Sequence, residues 1–124
     1  SMLNKRTVGT NGEERALSFL QDHNVRILDQ NYRNRCGEID LILKDRSYLV
    51  FLEVKYRKNS CLGAPQEAVT LRKQKTICLV ADIYLLSHHV HPDTPIRFDV
   101  LALWASASGA YRFEWIKNAF PYRR

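Results

Sequence analysis

The chain has 124 residues, and its 19 Lys and Arg against 13 Asp and Glu give it a net charge of +6, a balance that suits a polyanionic partner. That length supports one domain, residues 1–124, with a real core and not two; its longest apolar stretch, residues 77–86, is interrupted by Asp82 and too short to span a membrane, and no apolar run at the N-terminus marks a secretory signal. Cys36, Cys61 and Cys78 are odd in number and lack metal-ligand spacing, which argues against a disulfide framework or a zinc site and for a reducing cytoplasm.

Thr10 or Asn11 is placed to cap a helix running to about His23, with Glu13 and Glu14 in its first turn. Glu13 precedes the apolar Ala16, Leu17 and Leu20 at helical spacing, so it projects from the packing side. Such a carboxylate either gains from the helix N-terminus, worth a few tenths to about 1 kcal/mol, or meets a partner in a site. Residues 25–33 read as a strand beside a central hairpin. Arg33 and Arg35, flanking the tight connection 34–37, either contact phosphates or keep an edge strand from pairing with neighbours.

Residues 37–57, GEIDLILKDRSYLVFLEVKYR, form the predicted hairpin around the polar turn Asp45-Arg46-Ser47-Tyr48. Its register sets Lys44 against Leu49, Ile42 against Phe51, Asp40 against Glu53 and Glu38 against Lys55. Near the turn both faces are apolar, as in the middle strands of a covered sheet. Away from it one face turns charged while the other stays apolar through Ile39 and Val54. Directly opposed side chains lie roughly 5 Å apart at Cβ, and two carboxylates at that spacing repel by about 3 kcal/mol at an effective dielectric of 20. A hairpin selected for stability alone would not oppose Asp40 to Glu53, whereas a bound cation turns their repulsion into attraction.

The loop 58–65 leaves the charged end of the hairpin, a position that suits a substrate-contacting flap. Thr70 then caps a helix from Leu71 to about Ser87, with Leu71, Gln74, Cys78, Ala81 and Leu85 along its apolar stripe and Ile77 and Tyr84 widening it. Arg72, Lys73 and Lys75 crowd the first turns, where the helix dipole disfavours cations, so either solvent screens them or a phosphate approaches. His88, His89 and His91 belong to a polar connector. Residues 96–104 and 110–116 are two further strands, with Asp99 in a structural role paired to Arg97, and the tail after Ile116 carries no assignable pattern.

The order helix, three strands, helix, strands, with D-x12-E-x-K as Asp40 and Glu53-Val54-Lys55, resembles the PD-(D/E)XK nuclease superfamily. Gly9-x-x-Gly12-Glu13, Asn31-Tyr32-Arg33, Gly37-Glu38-Ile39-Asp40-Leu41-Ile42, Phe51-Leu52-Glu53-Val54-Lys55, Lys73-Gln74 and Arg97-Phe98-Asp99-Val100 are also similar to the uncharacterised bacterial YraN-like family. The resemblance implies an α/β (α+β, mixed-sheet) protein with a restriction-endonuclease-like αβββαβ core and an extra C-terminal strand, related to archaeal Holliday-junction resolvases. It places Glu13 beside Asp40, Glu53 and Lys55. One departure is Ile39, where the superfamily usually has a proline that shapes the backbone and supplies no ligand.

The function expected from this pattern is metal-dependent endonucleolytic hydrolysis of DNA, on branched or otherwise structured substrates, by a cytoplasmic enzyme. Asp40, Glu53 and Glu13 would hold Mg²⁺ or Mn²⁺, Lys55 would act on the water or the phosphate, and Glu38 would support Lys55. Arg33, Arg35, Arg57, Arg72 and Lys73 would contact the nucleic acid, with RNA left open as a substrate and a homodimer compatible with the resolvase likeness. The alternative is a non-catalytic nucleic-acid-binding module that retains the nuclease fold.

Overall fold

The computed structural model describes residues 9–58 and 69–124; the side chains of residues 9–11 lie outside that description, as do Cys61 and nearly all of the expected flap. Helix α1 (Gly9–Gln21) is followed by β1 (Arg26–Asn34), β2 (Gly37–Asp45) and β3 (Tyr48–Tyr56), then α2 (Leu71–Ser87), β4 (Ile96–Ala105) and β5 (Tyr111–Ile116). This is the expected αβββαβ order with an added C-terminal strand. The helix start differs: α1 begins at Gly9, so Thr10 and Asn11 lie inside its first turn and do not precede it. At the other end the chain leaves the helix through short bonds, His23 N–H to Leu20 O at 2.9 Å and Asn24 N–H to Gln21 O at 3.1 Å. Asn24 takes the left-handed conformation, φ 60°, that commonly stops a helix.

The five strands form one mixed sheet in chain order, β1-β2-β3-β4-β5, in which only β3 and β4 run parallel. Their pairing runs from Leu49–Ile96 to Tyr56–Leu103, because α2 carries the chain back across the sheet between them. The hairpin turn is the two residues Arg46 and Ser47, with Arg46 at φ 56°. The predicted register holds for Lys44–Leu49 and Ile42–Phe51.

Apolar residues cover both faces of the sheet. On one face Ile77 and Tyr84 of α2 pack with Ile42, Leu49, Phe51, Phe98 and Phe120; on the other Ala16 and Leu20 of α1 pack with Leu41, Leu43, Val50, Leu52, Val54, Leu101 and Leu103. Each such side chain fully buried contributes about 1.5–3 kcal/mol. Ile39 departs from strict alternation: it packs with Ile42 on the α2 side instead of joining Leu41 and Val54. The break coincides with Asn31, which lies on β1 between the pairs Gln30–Leu41 and Tyr32–Ile39 and has φ 53°.

Thr70 caps α2 as expected, accepting the Lys73 N–H at 3.2 Å. Buried Gln74 donates to Val69 O at 2.9 Å and accepts from Arg123 Nε at 2.7 Å. The tail is therefore part of the fold: Phe120 is buried, and Arg123 N–H reaches Cys78 Sγ at 3.3 Å. Leu71 is exposed and Val80 takes a place in the core. Among the described residues no helix is long and apolar enough to cross a membrane.

At the turn end of the hairpin Asp99, fully buried, accepts two-pronged bonds from Arg97 at 2.8 and 2.9 Å, plus Trp115 Nε1 at 2.9 Å and Asn118 N–H at 2.8 Å. Arg97 also reaches Asp45 at 2.9 Å, and Lys117 adds a contact at 3.2 Å. Burial alone would raise the Asp45 carboxyl, but its bonds from Arg97 and Lys117 outweigh this and hold it below the usual range. Asp99→Ala leaves Arg97 short of its main partner, and removing one member of a buried pair costs about 3–5 kcal/mol. Denaturant titration should show that loss as a lower midpoint with an unchanged slope; a loss under about 1 kcal/mol would mean the network adds little to stability.

Candidate active site

The β2–β3 ladder ends at the pair Leu41–Leu52. Beyond it β2 stays with β1 as far as Asn34–Gly37, while β3 stays with β4 as far as Tyr56–Leu103. The two central strands part, and a side chain takes over from the missing backbone bond: Val54 N–H donates to Asp40 Oδ2 at 2.8 Å. Asp40 is thus fixed on one wall of the opening, with Glu53 beside it on the other.

Asp40 has no solvent exposure, and the Glu53 side chain is 11% exposed. Burial above all, then hydrogen bonding with Glu53 and the negative charge of that group, push the Asp40 carboxyl from its ordinary 3.8 up to about 9; the Val54 N–H opposes the rise. Asp40 Oδ1 is buried without a hydrogen-bond partner. Two ionised carboxylates have no proton to donate to one another, so this oxygen is satisfied only when the pair holds a proton or a cation. Oxygen donors of this kind fit a hard divalent ion, which typically takes one or two carboxylates and completes its shell with water and phosphate.

A lysine also reaches the pair. Lys73, in the first turn of α2, puts Nζ 3.4 Å from Glu53 Oε2, with its side chain 39% exposed. From sequence Lys73 is a nucleic-acid contact, yet its position is at the edge of the acidic pair. The available signal was its place directly before Gln74, the polar residue in the apolar stripe: the neighbour of an inward-facing residue at a capped helix end is well placed to reach the sheet below.

The remaining candidates distribute unevenly. Glu38 does not face Lys55, because the ladder stops before reaching them; it pairs with Arg33 at 3.7 Å. Lys55 is exposed near the end of β3, two residues beyond Glu53. Glu13 is half-buried on α1, and among the described residues no group of three or more His, Cys, Asp or Glu side chains gathers to hold a metal, so the expected set of three does not converge. Arg35 is exposed in the β1–β2 turn and Arg72 in the first turn of α2, while Arg57 is half-buried with its N–H bonded to Leu103 O at 2.8 Å.

Residues 12–103 match the model of the uncharacterised protein family UPF0102. Curated relatives, each named UPF0102 protein, cover almost the whole chain. One from Lachnoclostridium phytofermentans is 42% identical over 118 residues, 95% of this chain and 96% of the relative. One from Acetivibrio thermocellus is 41% identical over 122 residues, 94% and 93% of the two chains, and one from Clostridium botulinum is 38% identical over 114 residues, 91% and 93%.

Proposed function

We propose that this chain, which belongs to the uncharacterised protein family UPF0102, the YraN family of the sequence resemblance, is a metal-dependent endonuclease that hydrolyses phosphodiester bonds in branched or structured DNA. The observation that carries this reading is the buried Asp40 beside Glu53 at the parting of two central strands, with Asp40 Oδ1 left unpartnered. An acid pair held at such a cost serves chemistry better than it serves the fold.

Asp40 and Glu53 would hold Mg²⁺ or Mn²⁺. Such an ion, when bound, polarises a phosphoryl oxygen and acidifies water. Asp40 must give up its proton for the ion to bind, so loading becomes easier as pH rises. Lys55, exposed on β3 two residues beyond Glu53, would steady the attacking water or the charge growing on the phosphate. Lys73 neutralises Glu53 in the resting site and would turn to the phosphate once a cation takes its place. Arg72 and Arg35, both exposed, would contact the nucleic-acid backbone. Glu38, tied to Arg33, would shape the wall of the opening and not move protons.

A specific observation also favours the non-catalytic reading, in which the chain binds nucleic acid without cutting it. The Lys73–Glu53 pair supplies a cation of its own, and no third acid joins the first two among the described residues. One experiment separates the readings: labelled branched, flapped and single-stranded DNA and an RNA strand, each incubated with wild type and Asp40→Asn in Mn²⁺. Cutting by wild type alone is expected. Salt-dependent binding with no product from any strand would favour the binding module, and neither binding nor cutting at low salt would count against both.

A further inference from the structure

Among the described residues seven large hydrophobic side chains are exposed, and four of them belong to α2 and its flank: Leu71, Leu79 and Leu86 are spaced along the helix, and Tyr122 of the tail lies beside Leu86. Their exposures are 59%, 51%, 78% and 38%. Single exposed leucines are ordinary, but three along one helix make a surface. The inner side of α2 is already filled by Gln74, Ile77, Val80, Ala81 and Tyr84. At 3.6 residues per turn, positions 71, 75, 79, 82 and 86 fall in one narrow stripe on the opposite side.

In order, that stripe reads Leu71, Lys75, Leu79, Asp82, Leu86: apolar, basic, apolar, acidic, apolar. We infer that this outer face of α2 is a two-fold interface with a second copy of the chain, the two helices packing antiparallel about an axis beside Leu79. Antiparallel superposition sets Leu71 against Leu86 of the second copy, Lys75 against its Asp82, and the two Leu79 side chains against each other at the axis. A parallel pair would set lysine against lysine and aspartate against aspartate, so the charges choose the antiparallel one. The Asp82 carboxylate is already oriented, accepting the Tyr122 hydroxyl at 2.9 Å, and keeps lone pairs for a lysine.

An interface of two helix faces with one tyrosine at its margin lies at the small end of specific interfaces. The dimer is therefore reversible and concentration-dependent. It is independent of whether the acidic pair cuts DNA.

Sedimentation equilibrium from low micromolar to near-millimolar protein tests the proposal. Wild type is expected to pass from monomer to dimer, and Leu79→Glu to stay monomeric throughout with the helical signal of its circular dichroism spectrum kept. Lys75→Glu and Asp82→Lys should each weaken the dimer by about tenfold or more, since each brings like charges together at two symmetric places. Combining them should restore it to within a few-fold of wild type. A monomeric wild type at every concentration overturns the proposal and leaves the stripe to a different protein. A dimer indifferent to Leu79→Glu, or charge reversals whose combination fails to restore association, would place any self-association on another face and overturn it equally.

Discussion

Asp40→Asn is expected to give a protein that is more stable than wild type above neutral pH and unable to cut DNA. With its carboxyl raised to about 9, the folded protein keeps a proton on Asp40 that the unfolded chain, near 3.8, has already lost. The sign follows: the contribution of this group to stability is full below the unfolded value and is lost progressively as pH rises through the folded one. Asparagine cannot ionise, can accept the Val54 N–H in place of Oδ2, and offers its amide hydrogens to Glu53. In metal-free buffer the unfolding free energies of the two proteins, from denaturant titration, should therefore agree near pH 4 and part steadily toward pH 9, to a difference on the order of a few kcal/mol. Mg²⁺ should then raise the wild-type midpoint, more so at higher pH, and leave the variant nearly unmoved. Parallel pH curves for the two proteins would show that Asp40 carries no shared proton, and a variant that still cuts would remove it from the active site.

Lys55→Ala should separate cutting from binding. Lys55 lies on the exposed end of β3 and is no part of the Asp40–Glu53 pair, so its loss should leave metal affinity unchanged or slightly higher. Nucleic-acid affinity should fall by about one phosphate contact's share of the salt dependence. Single-turnover cleavage at saturating protein should drop by roughly a hundredfold or more, the usual effect of deleting one preorganised charged group. Lys55→Arg should recover only part of this, because a planar guanidinium does not reproduce a compact ammonium. Cleavage at the wild-type rate by Lys55→Ala would move the chemistry to another cation, with Lys73 the first to test.

Much of the frame was legible in the residues because local rules and tertiary packing agree there. The hairpin register near the turn, the Thr70 cap, the extent of α2 and the Asp99–Arg97 pair all follow from alternation, capping or short sequence separation. What escaped depends on contacts that a one-dimensional pattern does not encode. Extending the ladder past Leu41 and Leu52 set Glu38 against Lys55, whereas in the fold that ladder stops there and β2 continues with β1 alone, β3 with β4 alone. Lys73 reaching Glu53, and the tail closing over Gln74 and Cys78, join segments far apart in sequence. Leu71 satisfies helical spacing yet points outward, since periodicity gives a stripe and its neighbours decide where the stripe ends.

The parallel joint between β3 and β4 has a kinetic meaning. Every other strand pairing joins consecutive strands through a tight connection, so those pieces can assemble locally within the early collapse of the chain. The β3–β4 joint must close the whole segment containing α2, and its contacts reward that closure only after the entropy of the loop has been lost. Glu53 and Lys55 sit on β3, the strand shared by the local hairpin and this long closure. The wedge beside Asp40 is complete only when β3 has gained β4 as a neighbour, so the rigidity of the acidic site depends on the longest closure in the sheet.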